Sequence, residues 1–133
     1  MMLKGAQELA RFISENYSGK IIEVGVGHVA DVATRLFPLQ VVATDTEERY
    51  LHGIKVVKDD IFSPKKEMYM GSNLIYSLRP SHEVQLAIGE LAREIGADII
   101  IRPLEDEIID IPGFNRHLVN LGNSRFYLFK QNL

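Results

Sequence analysis

Five short apolar runs, separated by segments of helical or turn character, constrain the fold of this 133-residue chain most strongly. They lie at residues 21–24, 40–43, 54–57, 74–78 and 98–101. The runs lack regular alternation of apolar and polar residues, which is typical of strands covered on both faces, as in parallel sheets. Strands that alternate with helices form right-handed βαβ units. The pattern therefore predicts an α/β fold with a doubly wound, mostly parallel sheet and helices on both faces.

Two segments have the period of an amphipathic helix. Apolar residues recur every three or four positions from Leu3 to Tyr17, which predicts a helix that ends near Ser18. A second helix is predicted from Ser81 to Ile95, because Ser81 suits an N-cap and Gly96 a C-terminal stop. Shorter helical or turn segments are predicted at residues 29–37, where Pro38 ends the segment, and at 47–51, and a loop at 63–71.

The end of the chain departs from this alternation. Residues 117–121 and 125–130 have strand character, and Gly122 and Asn123 between them form a dipeptide typical of tight hairpin turns. The prediction is an antiparallel hairpin that closes one edge of the otherwise parallel sheet.

Length and composition exclude several classes of protein. The chain is expected to form one domain, residues 1–133, and it has no cysteine for disulfides, thiolate metal sites or nucleophiles. A net charge of -3 gives no general attraction for nucleic acid or anionic lipid. The four histidines lack ligand spacing, so no metal site is predicted. No apolar run is long enough for a membrane span or typical of a signal peptide, so a cytoplasmic protein is expected.

Glu23 is a charged residue within the first apolar run, and Gly25 and Gly27 follow it. A buried carboxylate without a partner is costly, so this strand end must offer it hydrogen bonds, water or a cationic group. The glycines have no side chains, so a ligand can approach the backbone at a strand-to-helix turn, where the helix N-terminus has free N–H groups. The three residues predict a small-molecule site.

Asp45 supports this prediction. It follows Gly25 by about 20 residues, at the end of the second run, where doubly wound folds place an acid that binds ribose hydroxyls. The glycines also fit the dinucleotide signature G-x-G-x-x-A when Ala30 is included, which would indicate NAD. Glu23 argues against NAD, because a carboxylate repels pyrophosphate and a dinucleotide site has no cation there.

The pattern E-x-G-x-G at residues 23–27 resembles the first motif of class I S-adenosylmethionine-dependent methyltransferases. More narrowly, IIEVGVGH together with LIYSLRPS resembles a small archaeal family of uncharacterised, methyltransferase-like proteins. The resemblance extends over about residues 3–130 and implies a Rossmann-like sheet that ends in the hairpin. It also implies S-adenosylmethionine as the cofactor and five residues that bind it: Glu23 at the methionine amino group, Gly25 and Gly27 at the turn, Asp45 at the ribose, and Asp60, beside Asp59, at the adenine.

The chain departs from the family pattern after the fourth run. Amino-methylating members place Asp or Asn, two prolines and an aromatic residue there, whereas this chain has YSLRPS at residues 76–81. The groups that orient a substrate amine are therefore missing, and Val29 replaces the third glycine of the first motif. No catalytic residue is assigned; His28, Tyr76 and His82 are candidate bases by topology alone.

Structural roles compete with several of these assignments. The glycines could serve a tight turn alone, Glu23 could pair with Arg79, and Asp45 could cap a helix. Arg79 could instead bind a carboxylate or phosphate through its guanidinium group. The acidic run at residues 104–107 is expected to form an exposed loop.

Three functions fit these observations. The first is a small S-adenosylmethionine-dependent methyltransferase of unknown substrate. The second is a non-catalytic module that binds the same cofactor or serves in an assembly, because the chain lacks an inserted substrate-recognition segment. The third is an NAD-binding oxidoreductase. A protein partner or a second copy of the chain could supply the missing substrate surface.

Overall fold

A computed structural model of the chain describes residues 4–36, 38–103 and 108–132. Within them, three α-helices occur: α1 (Ala6–Asn16), α2 (Lys66–Tyr69) and α3 (His82–Ile95). The strands are β1 (Lys20–Val24), β2 (Gln40–Asp45), β3 (Arg49–Leu51), β4 (Ile54–Lys58), β5 (Ser72–Leu78), β6 (Asp98–Arg102), β7 (Phe114–Leu121) and β8 (Ser124–Gln131). The acidic run at 104–107 lies outside the described residues.

The strands form one sheet in the order β3-β4-β2-β1-β5-β6-β8-β7. The strands predicted from the five apolar runs are β1, β2, β4, β5 and β6. Each pair of neighbours within this group is parallel. The terminal hairpin is antiparallel and pairs with β6 through β8. This arrangement confirms the predicted doubly wound, mostly parallel sheet with an antiparallel hairpin at one edge. The strand order reverses between β1 and β5, which is where such sheets form a ligand crevice.

Helices cover both faces of the sheet, as predicted from apolar runs that lack alternating polar residues. On one face, α1 packs Leu9 and Ile13 into a buried cluster with Ile21 of β1. On the other face, α3 packs Ile88 against a cluster that contains Ile22, the next residue of β1. Successive residues of a strand point to opposite faces, so a strand covered on both sides is apolar at most of its positions. None of the described helices is long and apolar enough to cross a membrane.

The two predicted helices agree with the structure. The side chain of Ser81 accepts a hydrogen bond from the Val84 N–H at 3.3 Å, which caps the start of α3. Gly96 ends α3 in the left-handed conformation with φ 85°. The loop predicted at 63–71 contains the single-turn helix α2.

Two connecting segments differ from their predicted form. In the segment predicted at 29–37, the described residues 29–36 form a helical turn only at Ala33–Arg35, and it is of the 3-10 type. The segment is short and rich in β-branched residues, which disfavour helix nucleation. The segment at 47–51 is largely the strand β3, which pairs with β4 across a turn where His52 and Gly53 have φ 50° and 82°. Positive φ at both central residues is typical of a two-residue hairpin turn.

Candidate functional site

The chain turns sharply after β1, at the two glycines singled out by the sequence. Gly25 and Gly27 have φ 70° and 62°, and the N–H groups of Gly25 and Val26 donate to the Thr44 carbonyl at 2.9 and 3.0 Å. A Cβ atom at either glycine would meet no atom within 4 Å. The backbone conformation, rather than crowding, therefore requires glycine, and open space borders the turn. The predicted helix N-terminus at this turn is wrong, because the described residues 28–36 contain a 3-10 turn and no α-helix.

Glu23 lies under this turn and is fully buried, with 0% of its surface exposed. The Tyr76 hydroxyl donates to Oε1 of Glu23 at 2.6 Å, while Oε2 is buried and has no hydrogen-bond partner in the described structure. Burial raises the pKa of Glu23 to about 8; the Tyr76 hydrogen bond opposes this rise and the charge of Asp45 adds to it. Glu23 is thus largely protonated at neutral pH and carries one unsatisfied oxygen.

Asp45 ends β2 and holds the glycine turn in place. Its Oδ2 accepts hydrogen bonds from the Gly27 N–H at 2.9 Å and from Nη2 of Arg49 at 3.0 Å, and its Oδ1 accepts one from the Thr46 N–H at 2.8 Å. Burial alone would raise the pKa of Asp45, but these donors outweigh it and hold the pKa below its usual value. A carboxylate accepts about four hydrogen bonds, so three donors leave one position for a ligand.

Arg49 is a residue of this site that the sequence interpretation missed. Its guanidinium group donates to Asp45 and to the Gly27 carbonyl, and its Nη1 donates to the Glu47 carbonyl at 3.0 Å. Arg49 begins β3, and that strand places it beside the glycine turn. Its spacing of four residues from Asp45 is the available signal, but the sequence predicts a helical or turn segment at 47–51 instead of a strand.

The two acids after β4 have different roles. Asp59 is buried and accepts hydrogen bonds from the Tyr69 hydroxyl at 2.6 Å and the Lys65 N–H at 3.0 Å. Asp59 therefore fixes the start of α2. Asp60 is exposed, and its Oδ1 accepts a hydrogen bond from the Phe62 N–H at 2.9 Å.

A pocket of about 170 Å³ opens over the ends of β1, β2 and β4. Three of the five predicted cofactor residues line it, namely Gly25, Asp45 and Asp60. The other lining residues are Val24, Thr44, Thr46, Asp59, Ile61, Phe62 and Val84. A neighbouring cleft of about 460 Å³ shares Thr46, Asp59 and Asp60 with this pocket. The structure thus brings Gly25, Asp45 and Asp60 to one pocket, whereas Glu23 and Gly27 are not among its lining residues.

The candidate bases are not gathered around this pocket. Tyr76 is fully buried and hydrogen-bonded to Glu23; burial and the Glu23 charge raise its pKa well above the usual value. Tyr76 is therefore a donor to Glu23 rather than a base at neutral pH. His28 and His82 are exposed. No three His, Asp or Glu side chains of the described ranges form a group that could hold a metal ion, and the absence of a metal stays a prediction.

The sequence is similar to archaeal proteins over most of its length. A UPF0146 protein of Archaeoglobus fulgidus is 39% identical over 127 residues, which cover 93% of this chain and 94% of that protein. A UPF0146 protein of Methanothermobacter thermautotrophicus is 38% identical over 111 residues, which cover 81% of this chain and 80% of that protein.

Solved structures share the fold. An S-adenosyl-L-methionine methyl transferase from Silicibacter pomeroyi aligns with a TM-score of 0.62 and 12% identity, over 96% of this chain and 90% of that chain. An rRNA methylase from Streptococcus thermophilus aligns with a TM-score of 0.61 and 14% identity, over 98% of each chain. Identity this low shows the class I methyltransferase-like fold alone. Residues 6–131 match the family described as "Uncharacterised protein family (UPF0146)", and the chain therefore belongs to that family.

Proposed function

We propose that this protein binds S-adenosylmethionine at the glycine turn and transfers its methyl group to a small acceptor. The observation that carries this proposal is Glu23, a fully buried carboxyl group whose Oε2 has no described hydrogen-bond partner. An unsatisfied buried acid is unfavourable in a fold unless a ligand uses it. The amino group of the cofactor is a cation of the kind that such an acid would serve.

The residues around the pocket fit the rest of the cofactor. Asp45 has one acceptor position left for a ribose hydroxyl, and Gly25 has open space beside its backbone. Ile61, Phe62 and Val84 form an apolar wall suited to a purine, with Asp60 at its rim. The pocket and the cleft beside it together reach the 300–1,000 Å³ that small-molecule sites commonly have.

The protein's own residues would act by positioning. When bound, S-adenosylmethionine would supply an electrophilic methyl group to an acceptor aligned with it. Arg49 and Asp45 hold the glycine turn rigid, and the Tyr76 hydroxyl orients the carboxyl group of Glu23. Alignment of the methyl group with the acceptor can lower the activation barrier of such a transfer by several kcal/mol. This chemistry therefore does not require a base near the pocket.

Calorimetric titration with S-adenosylmethionine, S-adenosylhomocysteine and NAD tests the proposal. We expect micromolar binding of the first two ligands, at least tenfold weaker binding after Glu23→Gln, and no binding of NAD. Glu90→Gln, which removes an exposed carboxylate from α3, is the matched control and should leave the affinities unchanged. Absence of binding by the folded wild-type protein would contradict the proposal, and binding of NAD alone would favour an oxidoreductase.

A non-catalytic cofactor-binding module is the second candidate. Two observations favour it: the Tyr76 hydroxyl is hydrogen-bonded to Glu23, and YSLRPS replaces the substrate-orienting motif at the end of β5. This candidate predicts the same cofactor affinities but no methyl transfer. A partner protein that co-purifies with the chain and restores transfer would distinguish a module of an assembly from a complete enzyme.

A further inference from the structure

Two arginines meet at the carboxyl ends of β5 and β6. Arg79 follows Leu78, the last residue of β5, and Arg102 is the last residue of β6. Leu78 and Arg102 are paired across the two strands, and the Arg79 N–H donates to the Arg102 carbonyl at 2.8 Å. The two side chains therefore start from adjacent points of the backbone.

Neither arginine has an ion-pair partner among the residues that the structure describes. Burial, and then the charge of Arg79, lower the pKa of Arg102 below its usual value. Arg102 is half-buried, and its Nη2 donates to the Lys4 carbonyl at 3.1 Å. Ion pairs among the described residues are Arg49–Asp45, Lys66–Glu94 and Arg116–Asp110. Two neighbouring cations repel each other, so an anion bound between them would relieve an unfavourable interaction.

The backbone of Arg79 is also unusual. Its φ of 61° is in the left-handed region, which long side chains rarely adopt. Glycine would fit this conformation without strain. Strained residues of this kind occur preferentially at ligand sites. The helix α3 begins at His82, three residues later, and its N-terminus adds partial positive charge, which Glu83 in the first turn partly offsets.

Arg79 follows the strand that adjoins β1, whereas Arg102 lies one strand further from the glycine turn. Glu23 of β1 is paired with Tyr76 of β5, and the Ser77 hydroxyl donates to the Val24 carbonyl at 2.7 Å. Neighbouring strands lie about 4.8 Å apart, so the residue that follows β5 is close to the turn that follows β1. A group bound by Arg79 would therefore lie next to the proposed cofactor.

We propose that Arg79 and Arg102 form an anion site for a carboxylate or phosphate group of the methyl acceptor. Guanidinium groups bind both anions through paired hydrogen bonds, which orient as well as attract the ligand. The net charge of -3 gives no general attraction for a nucleic-acid strand, so the proposed acceptor is a small anion held by these two arginines. The role in acceptor binding rests on the proposed function, whereas anion binding itself does not.

Titration of the full chain with inorganic phosphate, and separately with acetate, tests the site. The readout is the NMR signals of the arginine Nε–H groups at constant ionic strength. We expect the Arg79 and Arg102 signals to shift to saturation with at least one anion. Arg79→Gly removes the guanidinium group and relieves the strained φ, so it should weaken anion binding about tenfold or more without lowering the melting temperature. Arg125→Ala removes an exposed arginine from β8 and is the matched control.

Three results would overturn the site: no saturation with either anion, equal losses in Arg79→Gly and Arg125→Ala, or abolition of phosphate binding by S-adenosylhomocysteine. The last result would mean that phosphate occupies the cofactor pocket. The wild-type sample is also titrated with S-adenosylmethionine. Anion binding without cofactor binding would contradict the proposed function alone, whereas cofactor binding without anion binding would contradict the anion site alone.

Discussion

The most informative single residue is Glu23. The sequence predicted that this carboxyl group needs a partner, because it falls within an apolar run. The structure supplies a hydrogen-bond donor for only one of its two oxygens: the Tyr76 hydroxyl binds one, and the other has no described donor. The sequence could not identify Tyr76 as the donor, because strand register decides which residue lies across from Glu23. The resemblance assigned Asp60 to the site, but the sequence could not show that Asp59 would be bound by Tyr69 and Lys65 while Asp60 stays exposed.

Glu23→Gln should stabilise the protein at high pH. The folded pKa of about 8 lies above the ordinary 4.5, so the folded state holds a proton that the unfolded state releases, and stability declines as pH rises from 4.5 to about 8. The amide cannot ionise and avoids this decline. We expect a gain of roughly 3 to 5 kcal/mol at pH 8.5 and little change at pH 4.5.

Urea denaturation of both proteins at the two pH values measures this effect. Glu90→Gln on the surface of α3 serves as the control and should show no such dependence on pH. A difference between Glu23→Gln and wild type that is the same at both pH values would show that Glu23 ionises normally in the folded protein.

At the scale of elements, the connection that matters most is the hairpin of β3 and β4. All five apolar runs became strands as predicted, because continuous apolar segments of this length suit a sheet covered on both faces. The segment at 47–51 was harder to predict, since β3 is short and its turn uses histidine at positive φ. That hairpin carries Arg49 to Asp45, so the interactions that fix the glycine turn could not be found without it.

Arg49→Ala should loosen the glycine turn. It leaves the Gly27 carbonyl without its described donor and removes one of three donors to Asp45. We expect a loss of about 1 to 3 kcal/mol in the free energy of unfolding, with faster hydrogen exchange at the Gly27 N–H. Lys66→Ala is the control, because it breaks an exposed ion pair, worth at most about 1 kcal/mol. Equal losses for the two variants, or unchanged exchange at Gly27, would remove this role from Arg49.

At the scale of the whole molecule, the sheet brings distant parts of the sequence to one ligand edge. The sequence predicted a terminal hairpin at the sheet edge but not which of its strands pairs with β6. The burial of the two strands explains the choice: β8 is largely buried, while β7 is mostly exposed and forms the edge. Strand order places the ends of β1, β2, β4 and β5 side by side, and both proposed sites depend on that order.

The most direct test is calorimetric titration with S-adenosylmethionine at pH 6, 7 and 8, in buffers of different ionisation enthalpy. A cationic group binds better to ionised Glu23, and the pKa of about 8 means that ionisation must accompany binding at lower pH. We expect release of nearly one proton at pH 6, with affinity rising up to about tenfold per pH unit toward pH 8. Binding that releases no proton and does not change with pH, or no binding by the folded protein, would contradict it.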